Sequence, residues 1–528
     1  MQKPLGAQIS HMLKAREVEV IFGIPGVHNV EMYRGIEEAG ITHILARHEQ
    51  GAAFMADGYA RATGRPGVCY LITGPGFVNA MTGLGQAYSD SVPVLALASC
   101  LDETSARRGQ LHQMLDQRGA GATVCDWSHE ARSAPAAYAL IDRALSEFAS
   151  RRPRPKAVHV PIDLLGALAD AAPQGPVSVP RAQASQDALY AAIKAVLAAR
   201  KPLFVFGGGA LSAAGFIPDV LRQTGAAAFT TYAGRGLVPA DHPLLFGSYL
   251  AREGSARIAA QADLVIAIGT ELSEVDLWRD SLGHHCPMIR VDIDAEVLAQ
   301  CGPRDMPIQA EAGAFLQAMS IAIPARTEDR APCWDAAEVA ATRAHWRAEI
   351  RAERPGIVEV TEALQAVMPD NAMIYSDMTQ FAYGAKEVWD MPRPGHWHHP
   401  YGFGTLGYAL PAAIGGAVAR PGLPTCAILG DYGLQYTLPE LGTAVELGLS
   451  LPILLWDNGK LGEIEDSMVR SQIAPNAVVA RNPDFLAMAR AYCAKAAEPA
   501  TLSELRETLL RAFTAGCPTV IRMTPGMV

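Results

Sequence analysis

Two apolar runs, each closing on a carboxylate or a carboxamide, constrain this chain more tightly than anything else in it. TCAIL leads into Gly430-Asp431, LPILLW leads into Asp457-Asn458, and 27 residues separate Asp431 from Asn458. Apolar runs of this length around a helical stretch, here from about 438 to 447, predict a β-α-β unit. Parallel strands deliver their loops to one edge of a sheet, which brings Asp431 and Asn458 side by side. A carboxylate and a carboxamide oxygen, with room for backbone carbonyls and phosphate oxygens, make a hard-oxygen set suited to Mg²⁺ or Ca²⁺. Gly433 and the amides at the start of the helix can approach an anionic diphosphate at the same place. An ordinary β-α-β unit with polar loop ends is the plain alternative.

The same alternation recurs along the chain and predicts an α/β fold of three consecutive open parallel-sheet domains flanked by helices, over 1–168, 181–321 and 341–528. In the first, a helix at about 6–17 precedes VEVIFGIPG, ITHILAR, VCYLITGPG, VPVLALAS and AVHVPIDLL, with helical segments between them. Glu49 follows one of these strands and precedes the small-residue helix GAAFMADGYARATG, so its carboxylate is expected at an apolar sheet edge. A helix N-terminal acid stabilised by exposed amides is the plain reading there. ADAAPQGPVSVPRAQASQ and the stretch 322–340 read as linkers. In the middle domain GGG at 207–209, Asp292 and Asp294 invite a nucleotide site, but the full G-x-G-x-x-G frame is missing and tight structural turns are the simpler reading.

Composition excludes several classes. The formal charge of -10 comes without a basic block, which argues against nucleic acid as a partner. No apolar run reaches about 18 residues and residues 1–20 carry charges, so neither a membrane span nor a secretory signal is expected. Nine cysteines without CxxC spacing are expected as free thiols in a reducing cytoplasm.

GDYG, followed 27 residues on by an Asn behind an apolar strand, resembles the diphosphate-binding motif of thiamine diphosphate enzymes. RHEQGAAFMADGYAR around Glu49 resembles their catalytic-Glu segment. Over nearly its whole length the chain is most similar to the acetolactate synthase and 2-oxo acid decarboxylase branch. The usual pattern is GDG followed by NN; this chain has GDYG and DN. The resemblance implies that Mg²⁺ is held by Asp431, Asn458 and the backbone carbonyl of Lys460. It also implies that Gly430, Asp431, Tyr432, Gly433 and Asn458 line the diphosphate site. Glu49 becomes the carboxylate that bonds the aminopyrimidine ring of the cofactor. Gly26, in GIPG, belongs to a family turn near that half of the site. Gln380, in SDMTQ, matches a diphosphate contact, with Thr379 where Gly is usual. Leu406, in GFGTLGYALPAAIGGAVA, falls on the apolar wedge between the two thiamine rings.

LHQMLDQRG is a hybrid. It keeps His112 of the LHH stretch of pyruvate decarboxylases and Gln113 of the FQE stretch of acetolactate synthases. The resemblance implies catalytic roles for both: His112 to donate to a substrate carboxylate or shuttle a proton, Gln113 to orient a carbonyl. Glu463 and Glu465 stand in a segment that is apolar in acetolactate synthases; acids that face water or cap a helix are the plain reading, and at least one of them receiving a cationic tail such as a guanidinium is the sharper one. The expected reaction is non-oxidative decarboxylation of a 2-oxo acid, with 5-guanidino-2-oxopentanoate giving 4-guanidinobutanal and CO2 as the specific reading. Carboligation of two 2-oxo acids, as in acetolactate synthases, is the alternative; a nucleotide-binding oxidoreductase is the alternative of another class. The family assembly implies a homodimer or dimer of dimers in which Glu49 of one subunit faces Asp431 and Asn458 of another. A structural FAD, present in acetolactate synthases, is the other reading of the middle domain.

Overall fold

The computed structural model describes residues 2–102, 109–173, 175, 179–323, 333–479 and 481–527; parts of both expected linkers, 174, 176–178 and 324–332, lie outside the described residues. Three sheets organise the chain. The first contains β1 (Val20–Gly23), β2 (Thr42–Leu45), β3 (Gly67–Leu71), β4 (Val94–Cys100), β5 (Trp127–Glu130) and β6 (Lys156–Pro161). Their spatial order is β2-β1-β3-β4-β6-β5, parallel throughout. A short antiparallel pair, Lys3–Pro4 with Leu168–Ala169, ties the start of this segment to its end. The second sheet contains β7 (Pro202–Phe206), β8 (Ala227–Thr230), β9 (Leu245–Gly247), β10 (Leu264–Ile268), β11 (Met288–Asp292) and β12 (Met306–Gln309). Its order is β9-β8-β7-β10-β11-β12, again parallel. The third carries β13 (Met373–Ser376), β14 (Thr425–Gly430), β15 (Pro452–Trp456), β16 (Lys495–Ala497) and β17 (Thr519–Met523). These run side by side, parallel, as β13-β14-β15-β17-β16. The α/β class and the three parallel sheets are those the alternation predicts.

Two compact units result. Met1–Val179, Ala372–Ala382 and His399–Met527 form one, so the first and third sheets share it; Pro180–Asn371 and Tyr383–His398 form the other. What joins the two sheets of the first unit is legible in the small residues of α1 (Glu49–Thr63) and α2 (Ala409–Ala419). A β-carbon on Gly58 would lie 2.0 Å from the Ala412 carbonyl oxygen, and one on Gly415 would lie 2.0 Å from that of Met55. The two helix backbones therefore touch, which only glycine permits. Around this crossing Ala53, Phe54, Ala56, Tyr408 and Leu410 are buried in one apolar core with the inward faces of both sheets.

The crossover after β14 differs from the single helix predicted at about 438–447. It is two helices, α3 (Asp431–Thr437) and α4 (Glu440–Glu446), with Pro439 as the N-cap of the second. Gly430 is the extended N-cap of the first helix, Asp431 Oδ1 accepts from the Tyr432 amide at 2.9 Å, and Pro439, lacking an N–H, breaks the run. In the second unit the GGG stretch is a packing turn between β7 and β10. Gly207 donates to Ile268 O at 2.9 Å and Gly209 to Gly269 O at 3.0 Å. Asp294 caps the following short helix through the Glu296 amide, and Asp292 accepts from the Asp294 amide. Among the described residues no helix is long and apolar enough to cross a membrane, and all nine cysteines are free.

Candidate active site

The β14–β15 register pairs Gly430 with Trp456, so Asp431 and Asn458 leave adjacent strands at the same sheet edge. Asp431 is 3 % exposed. Its Oδ2 accepts from the Gly459 amide at 2.9 Å, which joins the two loops directly. Asn458 Oδ1 accepts from the Lys460 amide at 3.3 Å, and its Nδ2 donates to Gln380 Oε1 at 3.3 Å. Gln380 opens the helix Gln380–Val388 and donates in turn to Asp466 Oδ2 at 3.4 Å. Gly430, Asp431, Tyr432, Gly433, Gln380, Asn458 and Lys460 are thus brought together on one loop cluster. A β-carbon on Gly433 would sit 2.5 Å from Asp377 Oδ2, so the helix start presses against a buried carboxylate.

Burial pushes the Asp431 carboxyl above its ordinary range, and the neighbouring Asp457 charge adds to the shift against the bonds from Asn482, Tyr432 and Gly459. A divalent cation reverses that balance. Among the described residues no three His, Cys, Asp or Glu side chains group to hold a metal. The donor set here is of another kind: one carboxylate, one carboxamide and a backbone oxygen, the hard ligands that Mg²⁺ takes when phosphate oxygens complete its shell. The residues fit the group.

The loop that carries half-buried Leu406 is fastened at both ends by buried carboxylates. Asp90 accepts from the amides of Gly402 at 2.9 Å and Tyr401 at 3.2 Å, and Arg61 pairs with both Asp90 and Asp57. Asp377 accepts from the amides of Met378 and Gly407, both at 2.8 Å. Burial pushes the Asp377 carboxyl up to about 7 in spite of those amide bonds.

Glu49 lies on the first sheet, as the first residue of α1, and is 8 % exposed. Its Oε2 accepts from Asn79 Nδ2 at 3.0 Å, while a β-carbon on Gly76 would lie 3.0 Å from Oε1. Among the described residues no hydrogen bond joins Glu49 to the Asp431 group. Glu440 on α4, a buried carboxylate, accepts from the amides of Arg47 and His48, the two residues before Glu49. Gly26 donates to Asn29 Oδ1 at 2.7 Å beside Ile72. His112 has a positive φ of 63°, a strained conformation for a non-glycine residue. Gly74 makes room for it, since a β-carbon there would lie 2.3 Å from the His112 carbonyl oxygen. The His112 ring meets His28 at 4.7 Å between centroids, and among the described residues Nδ1 of each is buried without a hydrogen-bond partner. Burial, and then the His112 charge, hold His28 below the usual imidazole range. Gln113 is exposed and accepts from the Gln110 amide at 3.1 Å.

Glu463 and Glu465 lie in the first turn of α5 (Gly462–Arg470), directly behind the Asn458 loop. Glu465 is ion-paired with Lys460, and Glu463 lies 3.9 Å from Arg470. Sequence reasoning missed His28, Asn79, Glu440 and Asn482. For His28 the signal was its place two residues after Gly26; for the others no local pattern exists.

Comparison with known proteins finds family matches in three segments of the chain. Residues 4–120 match the family described as thiamine pyrophosphate enzyme, N-terminal TPP binding domain; 189–319 match its central domain and 377–523 its C-terminal TPP binding domain. The chain is 40 % identical to the probable 2-ketoarginine decarboxylase AruI of Pseudomonas aeruginosa, over 98 % of this chain and 93 % of that protein. It is 30 % identical to the acetolactate synthase isozyme 2 large subunit of Escherichia coli, over 92 % and 89 %. A third relative, the acetolactate synthase large subunit IlvB1 of Mycobacterium tuberculosis, is 30 % identical over 93 % and 83 %. Matches at both ends and in the middle, with a 40 % identical relative over nearly the full length, make this chain a member of the thiamine diphosphate-dependent enzymes, in their acetolactate synthase and 2-oxo acid decarboxylase branch.

Proposed function

We propose that this enzyme removes CO2 non-oxidatively from a 2-oxo acid with a guanidinium tail, 5-guanidino-2-oxopentanoate, and releases 4-guanidinobutanal. The observation that carries the reading is the pair of acids on α5 immediately behind the Asn458 loop. The 40 % identical relative, whose name is that of a 2-ketoarginine decarboxylase, supports it. Bound thiamine diphosphate supplies the carbon nucleophile and the electron sink that let CO2 depart. The chain's own residues do the rest. Asp431, Asn458 and the Lys460 carbonyl would hold Mg²⁺, and Gly430, Tyr432, Gly433 and Gln380 would line the diphosphate site. Leu406 would pack against the rings of the bound cofactor and help to orient them. Glu49 exchanges a proton at Oε1, the oxygen that Asn79 leaves open, with the aminopyrimidine ring. His112 holds a proton for the product carbon or the substrate carboxylate, and Gln113 orients the substrate carbonyl.

The reading divides the chain into a pyrimidine-binding domain (1–168), a central domain (181–321) and a diphosphate-binding domain (341–528). It places the enzyme in the cytoplasm as at least a homodimer, with Glu49 of one subunit facing Asp431 and Asn458 of its neighbour. Exposed apolar side chains near both half-sites support such burial: Val27, Val30 and Leu115 on one, Ile464, Val469 and Val479 on the other. A flavin in the central domain would show in the visible absorption spectrum of the purified protein.

Acetolactate-type carboligation is the second reading, favoured by Gln113 and the 30 % identical synthases. Product analysis separates the two. The expected outcome is 4-guanidinobutanal and CO2 from 5-guanidino-2-oxopentanoate; acetolactate from pyruvate as the faster reaction would sink the decarboxylase reading. Glu463→Gln is expected to reduce discrimination between the guanidino and a neutral 2-oxo acid by roughly 10- to 100-fold, the worth of a hydrogen bond to a charged group. Glu465→Gln is expected to do less, because Lys460 already engages that carboxylate. Unchanged selectivity in both variants would remove the support for a cationic tail.

A further inference from the structure

Asp457 stands where the family pattern has Asn, and nothing in the proposed mechanism uses it. It is 8 % exposed, a carboxylate next to the residue that precedes a second buried carboxylate's loop partner, Gly459. Its charge is answered on one side: Oδ2 accepts from Arg522 Nε at 2.7 Å, and Arg522 Nη1 donates onward to Glu498 at 2.6 Å. On the other side Oδ1 accepts from Asn482 Nδ2 at 2.9 Å. The same Asn482 nitrogen donates to Asp431 Oδ2 at 2.6 Å, and Asn482 Oδ1 accepts from Gln435 Nε2 at 3.4 Å. Both amide hydrogens of one side chain are therefore spent on two buried carboxylates that would otherwise repel each other.

We propose that Asn482 is a positioning residue for the divalent cation: it clamps Asp431 to Asp457 and so fixes which oxygen of Asp431 faces the metal. The proposal rests on reading Asp431 as the metal ligand. An ionised carboxylate offers about four acceptor sites. On Asp431 the Gly459 amide and Asn482 take those of Oδ2, and the Tyr432 amide takes one on Oδ1. The site left open is on Oδ1, so a cation binds Asp431 through that oxygen alone. Asp457 serves by holding Asn482 at the correct angle, with Arg522 neutralising the charge that Asn in the usual pattern would not bring. Partners that orient a metal ligand in this way typically set affinity by about 10- to 100-fold.

The test is Mg²⁺ titration of the purified protein in the presence of thiamine diphosphate, followed by calorimetry, alongside thermal unfolding without metal. Asn482→Ala is expected to weaken Mg²⁺ binding by about 10- to 100-fold, and the metal-free protein is expected to unfold more readily as well, because two buried carboxylates lose the amide between them. Asp457→Asn, which keeps an acceptor for Asn482, is expected to bind Mg²⁺ more tightly than Asp457→Ala. Unchanged Mg²⁺ affinity in Asn482→Ala, with binding lost in Asp431→Asn, overturns the clamp and leaves the metal reading standing. Wild-type Mg²⁺ binding in Asp431→Asn overturns both. Should Asn482→Ala fail to fold, Asn482→Ser retains one donor and is expected to fall between the two; full affinity in that variant overturns the clamp.

Discussion

Glu49 has two oxygens in unlike surroundings. Asn79 holds Oε2, and Gly76 leaves space before Oε1. Glu49→Gln keeps the shape of the side chain and removes its capacity to take a proton. Turnover is expected to fall by roughly 100- to 10,000-fold, the usual range for a general acid–base group. Mg²⁺ affinity is expected to hold, since the Asp431 cluster is built on another sheet. Steady-state rates paired with Mg²⁺ titration check this; an equal loss in both measurements would make Glu49 a structural acid. Glu49, Asp431 and Asn458 were legible in the sequence because each follows an apolar strand within a short pattern. Asn482 and Glu440 were not. Their carboxylate and amide partners lie between 25 and 393 positions away, and only folding reveals the pairing.

Among the elements, the crossing of α1 and α2 sets the sharpest demand. Gly58→Ala would place a β-carbon 2.0 Å from the Ala412 carbonyl oxygen, with backbone on both sides and no side chain free to yield. A loss of about 3 kcal/mol is expected, at the upper end of the usual overpacking range, readable as a lowered denaturation midpoint. The small-residue helix itself was evident in the sequence; that its face meets a second helix from the far end of the chain was not. The start of α3 was misjudged for a related reason, since a helix opened by Asp431 with an early Gly looks like a loop until the Pro439 break is seen. On the first sheet, His159 at the end region of β6 is 1 % exposed and bonded through Gln117 and Ser128. Burial depresses it from 6.5 to about 4. The unfolded chain therefore binds the proton more readily between those values, and stability present above pH 6.5 is lost as pH falls towards 4. The loss amounts to about 3 kcal/mol for this group. A His159→Gln variant is expected to show a flatter stability profile across that window; parallel profiles would dismiss His159 as its source.

For the molecule as a whole, the proposed sharing of each site by two subunits makes a definite claim about mixtures. Glu49→Gln and Asp431→Asn homodimers are each expected to be inactive. Co-expressed, they are expected to regain roughly a quarter of wild-type activity, because random pairing of a two-fold dimer yields one intact site in half of the dimers. No recovery would sink the shared site. The three-sheet plan was visible from the alternation of strands and helices. The grouping of the first and third sheets into one unit was hidden, because it depends on contacts between segments some 350 positions apart, of which the Gly58 and Ala412 approach is the plainest. That approach has an evolutionary corollary: the two terminal modules are moulded to each other at main-chain level, so a chimera that borrowed only one of them from a cousin would inherit half of a lock without its key.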